Sequence, residues 1–139
     1  MIHGHCLCEA VRFEVTSPLG PIIHCHCSMC RRASGTAFAT NASVRTEGFR
    51  VTAGEEQLGE FESSPGHFRV FCRRCGSPLF SRFTQYPIIR VRLGALDDDP
   101  GGRAQAHIWL ATKAPWYPAV DDGLERFVEM PPVSYRAPG

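Results

Sequence analysis

The chain has 139 residues, seven of them cysteine, and 15 basic against 14 acidic side chains leave a formal charge of +1. That length holds one hydrophobic core of ordinary size, an odd cysteine count means disulfides alone cannot pair every sulfur, and the near-neutral balance excludes the strongly basic character of a dedicated nucleic-acid domain. No apolar run exceeds four residues (108–111), too short to cross a membrane as a helix, and the start Met1-Ile2-His3-Gly4-His5-Cys6 has no signal-peptide pattern. The expected compartment is therefore the cytosol, where thiols stay reduced and retained cysteines bind metal or do chemistry.

Taken in chain order, the sequence predicts a mainly β fold. Residues 10–16 alternate apolar and polar with β-branched content, the period of a half-buried strand. Further short strands are expected at 36–42, 49–52, 57–62, 67–71, 79–83, 88–93 and 105–110. Proline and glycine punctuation separates them, as in Ser17-Pro18-Leu19-Gly20-Pro21 and Ser63-Ser64-Pro65-Gly66. The expected architecture is a set of antiparallel sheets in a tent or sandwich. One short helical turn is expected at Ser28–Ser34, ended by Gly35. Residues 1–130 read as one domain, and the proline-rich 131–139 as a peripheral tail.

The sulfurs fall in three groups: Cys6-x-Cys8, Cys25-x-Cys27-x-x-Cys30 and Cys72-x-x-Cys75. On a strand, Cys6 and Cys8 would share a face. Cys72-Arg73-Arg74-Cys75-Gly76 resembles a zinc knuckle, with Gly76 free to take positive φ. Two plus two makes a closed four-thiolate site, which is structural because no position is left for substrate. The remaining Cys25, Cys27 and Cys30 match a three-ligand zinc site with one open position. His24 and His26 offer a fourth ligand and a closed site instead, although strand alternation would put them on the face away from Cys25 and Cys27. Spacing also leaves open a pairing of Cys6 and Cys8 with Cys25 and Cys27.

These groups resemble the glutathione-dependent formaldehyde-activating enzyme family, which includes the centromere protein V domain. The resemblance rests on Gly4-His5-Cys6-Leu7-Cys8, Cys25-His26-Cys27-Ser28-Met29-Cys30-Arg31-Arg32 and Phe71-Cys72-Arg73-Arg74-Cys75-Gly76-Ser77. It continues through Gly94-Ala95-Leu96-Asp97, His107-Ile108-Trp109 and Lys113-Ala114-Pro115-Trp116, and spans residues 3–131. It implies zinc-braced antiparallel sheets, with Cys6, Cys8, Cys72 and Cys75 on a structural zinc. It also implies a second, catalytic zinc on Cys25, Cys27 and Cys30. The implied activity is condensation of formaldehyde with glutathione to S-(hydroxymethyl)glutathione, and the reverse. One departure is Glu9, where the family often carries glycine.

The expected function is a zinc-dependent carbon–sulfur lyase acting on a thiol–aldehyde adduct, with a small-molecule thiol such as glutathione as partner. Arg31 and Arg32, directly after Cys30, are candidates to grip its carboxylates. His107 and Trp116 read as packed side chains before ligands, Phe68 and Phe71 as core, and Asp97, Asp98 and Asp99 as a solvated turn. His67 carries no assigned role. The rival reading is a zinc-braced binding module for protein or nucleic acid. It would use Arg69, Arg73, Arg74, Arg82, Arg90 and Arg92 with Phe68, Phe71, Phe80 and Phe83, though alternation scatters these over two faces. A third is a redox sensor working through Cys25, Cys27 or Cys30.

Overall fold

A computed structural model describes residues 1–118 and 121–139. In chain order these form β1 (Ile2–His5), β2 (Arg12–Val15), β3 (Ile22–Cys25), α1 (Ser28–Ser34), β4 (Ala39–Arg45) and β5 (Phe49–Ala53). Then follow β6 (Leu58–Ser64), β7 (His67–Cys72), β8 (Pro78–Phe83), β9 (Ile88–Arg92), β10 (Ala104–Ile108) and β11 (Glu125–Arg126). Gly35 closes α1 at φ 69°, the left-handed cap that glycine adopts without a Cβ clash. The expected mainly β fold with one short helix is what the chain adopts, joined by several 3-10 turns.

Two sheets result. One is three-stranded, β1-β2-β5, and the other eight-stranded, β11-β10-β3-β4-β9-β8-β7-β6. From β3 to β6 the large sheet is antiparallel, as expected. Its other end is parallel, β10 running alongside both β3 and β11. With β4 and β8 already beside β9, the next strand pairs at an edge of the sheet, here that of β3.

Pleating divides the large sheet into two unlike faces. Val70, Phe80, Val91 and Ala42 follow one another across β7, β8, β9 and β4 on the first face. This face packs on the small sheet, with Phe49 stacked between Phe13 at 5.2 Å and Phe80 at 4.6 Å. Phe13 comes so close to β1 that a Cβ on Gly4 would meet its ring at 2.3 Å. Each aliphatic or aromatic side chain buried here stabilises by about 1.5–3 kcal/mol. The second face carries Arg69, Ser81, Arg90 and Ser43 in one row, with Arg92 and Asn41 beside it. At its β3 end, Cys25, Ile108 and Ala39 pack with Cys30 of α1 in a second apolar cluster. Residues 131–139, expected as a peripheral tail, bring Tyr135 onto this cluster, its ring 5.1 Å from Phe127.

Candidate functional site

The first sulfur cluster is assembled by two turns. β1 ends at His5, and the chain turns at once: Glu9 N–H donates to the Cys6 carbonyl at 2.9 Å, with Glu9 at φ 62°. β7 ends at Cys72, and Gly76, at φ 78°, donates to the Cys72 carbonyl at 2.8 Å. The turns are tied together by Leu7 N–H donating to Ser77 Oγ at 2.9 Å. The Sγ atoms of Cys6, Cys8, Cys72 and Cys75 all lie within 4.8 Å of one another. Cys6 and Cys8 are 3.6 Å apart, and Cys8 and Cys72 3.8 Å. A tetrahedron with metal–sulfur bonds of about 2.3 Å has edges of about 3.8 Å, so the donor set fits a tetrahedral ion.

This corrects one expectation, that Cys6 and Cys8 present their sulfurs from a strand. Same-face residues of a strand stand about 6.5 Å apart along its axis, too far for one ion's edge, and the turn draws them together. Glu9 keeps the left-handed backbone of that turn without being glycine, with an exposed ion pair to Arg12 at 2.9 Å. The Ser77 hydroxyl, 3.2 Å from Cys75 Sγ, lowers that thiol to about 5.

The second cluster comes from a strand end and a helix start. Cys25 closes β3, Cys27 is the N-cap of α1, and Cys30 lies in its first turn. Cys27 Sγ accepts from Cys30 N–H at 3.3 Å, a sulfur taking the place of the usual capping oxygen. The three sulfurs lie within 4.8 Å of one another, and among the described residues no histidine or carboxylate completes the group. Cys25 and Cys27 hydrogen-bond to Cys30, and with Arg69 and Arg92 nearby they hold its thiol down at about 2. The same contacts with Cys27 and Cys30 push Cys25 up. All seven cysteines are free, so neither cluster is a disulfide.

The two histidines beside Cys25 are engaged elsewhere. His24 Nδ1 meets Thr40 Oγ1 at 2.8 Å, and His26 Nε2 meets His107 Nδ1 at 2.8 Å. His107 Nε2 in turn lies 2.7 Å from Asp122 Oδ2. A carboxylate only accepts, so with neutral rings His107 donates to Asp122 and accepts from His26. That leaves a bare lone pair on His26 Nδ1, which is buried without a partner. Burial, then the neighbouring His107, lowers His26 to about 4, which keeps it neutral. This Asp122–His107–His26 chain grips the backbone between Cys25 and Cys27. Sequence reading took His107 for a packed side chain and could not see the chain, because its members are 81 and 15 residues apart.

Other candidates fall less close to the sulfurs. Arg31 is half-buried and Arg32 exposed on α1, and neither makes a described hydrogen bond to a sulfur. The guanidinium that reaches Cys30 is that of Arg69, its two terminal nitrogens 3.8 and 3.9 Å from Sγ. Trp116, expected as a packed anchor, is 68% exposed. Phe68 and Phe71 are half-buried, Phe68 lying under Arg82 at 4.1 Å. Asp97, Asp98 and Asp99 pair with His5, His3 and Arg103 at the surface. His67 stacks on Phe83 at 4.4 Å.

The profile of the family described as glutathione-dependent formaldehyde-activating enzyme matches residues 1–112. A Halomonas elongata protein, provisionally named as such an enzyme, is 34% identical over 126 residues, covering 84% of this chain and 79% of its own. An uncharacterized lyase of Schizosaccharomyces pombe is 27% identical over 81 residues, 58% of this chain and 57% of its own. The crystal structure of a Rhodobacter sphaeroides protein superposes with a TM-score of 0.62 at 26% identity, covering 90% of this chain and 98% of that one.

Proposed function

This chain belongs to the glutathione-dependent formaldehyde-activating enzyme family and is an enzyme of lyase type, and we propose that it makes and breaks a carbon–sulfur bond in a thiol–aldehyde adduct. The substrate in this reading is of the S-(hydroxymethyl)glutathione kind, and the compartment is the cytosol. The observation that carries the reading is the convergence of Cys25, Cys27 and Cys30 with no fourth protein ligand among the described residues. Zinc fits both clusters by donor chemistry, closed by four sulfurs in one and left with an open position by three in the other. When bound at the three-sulfur cluster, zinc favours the thiolate form of a substrate thiol that reaches it.

The chain's own residues supply the rest. Three soft sulfurs favour a fourth sulfur over a strongly activated water, which directs the site to thiol chemistry rather than hydrolysis. Arg69 offsets the negative charge gathered on Cys30. Ile23, Ile108 and Ala39 pack around the sulfurs and thin the water on that side. The Asp122–His107–His26 chain holds the segment that presents Cys25 and Cys27.

The binding-module reading finds little support. Arg92 is buried, Arg69 turns towards Cys30, and Arg82 is engaged by Glu60 at 2.6 Å, so these residues form no continuous exposed basic face. The deciding experiment pairs zinc content with turnover of S-(hydroxymethyl)glutathione and related adducts, followed as formaldehyde release by NMR. The parent should bind two zinc ions per chain and turn over at least one adduct. Cys30→Ser should keep one ion and lose about 100-fold or more in rate. A fully zinc-loaded parent that turns over none of the adducts would overturn the proposal.

A further inference from the structure

The second face of the large sheet gathers positive charge to which, among the described residues, no carboxylate bonds. Arg69, Ser81, Arg90 and Ser43 are cross-strand neighbours in one row, and Arg92 lies two residues beyond Arg90 on the same face. Arg92 is only 7% exposed and donates to neutral partners, the side-chain Oδ1 of Asn41 and, at 2.8 Å, Ser81 Oγ. Arg69 donates through Nε to Ser63 Oγ at 3.0 Å, and Arg90 lies over the Phe83 ring at 5.1 Å. Arg136, from the tail, has its Nε–H buried without an acceptor. Among the described residues no carboxylate bonds to any of these four guanidinium groups. Burial pulls Arg92 down to about 10 and lowers Arg90 as well; the thiolates of Cys30 and Cys25 oppose that shift in both, and the neighbouring guanidinium charges add to it.

Burying a cation without a counter-charge is costly, so an arrangement of this kind implies an anion. The sulfurs of the second cluster are part of it. Three thiolates around one divalent ion retain a single negative charge, fewer than the guanidinium charges beside them. A cavity of about 200 Å³ opens between Ala33 of α1 and Arg69, Phe71, Pro78, Phe80 and Arg92. At about 30 Å³ per water molecule it has room for a carboxylate and a short stem. Ala33 stands one helical turn after Cys30, so the cavity adjoins the sulfur cluster.

We propose that this cavity is an anion pocket in which Arg69 and Arg92 hold a carboxylate of the substrate while its sulfur lies at the Cys25–Cys27–Cys30 cluster. The substrate class is then a small thiol bearing a carboxylate, gripped by residues far in sequence from the Arg31-Arg32 pair next to Cys30. The inference rests on reading the three-sulfur cluster as a thiol site, and its test separates the two.

The full chain is loaded with cobalt(II), whose thiolate charge-transfer band reports entry of another sulfur. It is titrated with 3-mercaptopropionate and with 3-mercaptopropionamide, which differ in the carboxylate alone. The acid should bind about tenfold or more tighter than the amide, as expected for a charge-assisted pair. Arg69→Gln should reduce that preference to less than about threefold, Arg69→Lys should restore part of it, and the surface control Arg103→Gln should leave it intact. Arg92→Gln should act like Arg69→Gln if it folds, and the half-buried Arg69 keeps the test available if it does not. Equal binding of acid and amide by the parent, or a preference untouched in Arg69→Gln, overturns the anion pocket and leaves the thiol site standing. A band that neither thiol perturbs overturns the thiol reading, and the pocket with it.

Discussion

The two cysteine clusters use the same ligand atoms in opposite settings. Cys6, Cys8, Cys72 and Cys75 sit on two turns at the rim of the main core, and their polar neighbours are backbone N–H groups and one hydroxyl, that of Ser77. Cys25, Cys27 and Cys30 sit where a strand runs into a helix, with a guanidinium against one sulfur and a histidine–carboxylate chain gripping the connecting loop. The first set is complete in itself and joins β1 to β7 across 64 residues of chain. The second is one ligand short and lies beside a row of arginines to which, among the described residues, no carboxylate bonds. Ligand type therefore says little about role, and what surrounds the ligands says more.

The widest separation between the clusters is expected on deletion of one ligand from each. A structural zinc contributes about 10 kcal/mol or more, comparable to the whole stability of a domain this size. Cys75→Ser should therefore unfold the chain, while Cys30→Ser keeps a cooperative thermal transition and one metal ion. Equal loss of fold in the two variants, read by circular dichroism and metal content, would erase the division.

A smaller effect is expected from the histidine chain. Asp122→Asn replaces an acceptor-only carboxylate by an amide that can also donate, so the His107 tautomer is no longer fixed and metal affinity at the three-sulfur cluster should fall about tenfold or more. The four-sulfur cluster should be unaffected, and chelator competition resolves the two. Equal weakening of both would mean that Asp122 serves the fold at large.

The next effect is on acid stability. Burial, then Arg69, lowers His67 to about 4, against about 6.5 when unfolded. The folded state thus favours the neutral ring, and the unfolded chain takes up the proton first as pH falls. Stability on this account is lost between about pH 6.5 and pH 4 and changes no further below. His67→Phe, which retains stacking on Phe83 and removes an unpartnered Nε2, should shrink that loss by about 1 kcal/mol in denaturant titrations at the two ends of the window. An unchanged pH dependence would remove His67 from the account. The least change is expected at Glu9, whose φ of 62° strains any residue with a side chain. Glu9→Gly should raise stability by about 1 kcal/mol or less, because the exposed pair with Arg12 offsets little. A lower melting temperature would show that the ion pair outweighs the strain.

Much of the fold was legible in the residue pattern, and the exceptions have causes. The strands with clean alternation or turn punctuation, such as β2, β7, β8 and β9, were all anticipated. β1 and β3 were not among the alternating runs, although the cysteine reading had put residues 6–8 and 24–27 on strands, and β11 was not anticipated. β1 is four residues of mixed polarity, and β3 reads equally well as a ligand loop because it ends in His24-Cys25. β11 spans two exposed residues and exists through its pairing with β10. The parallel edge was hidden for the same reason: it depends on which neighbours were already taken. In the site, cysteine spacing and family resemblance together named both clusters. Arg69, Arg90 and Arg92 were named only within a wider basic set that alternation was expected to scatter over two faces, and that these three share one face was not visible. What sets Arg69 beside the other two is the register of β7, β8 and β9.

Ligand chemistry is local, so the sequence by itself determined the number of thiolates, the two- and three-residue spacings that let them converge, and a β-rich frame for them. Charge balance and hydrogen bonding in a buried site are not local, since they depend on which strands become neighbours and in what register. Only the tertiary structure decided that the four sulfurs meet across two turns, that histidines flanking Cys25 are drawn away by Thr40 and His107, and that Arg69 closes on Cys30.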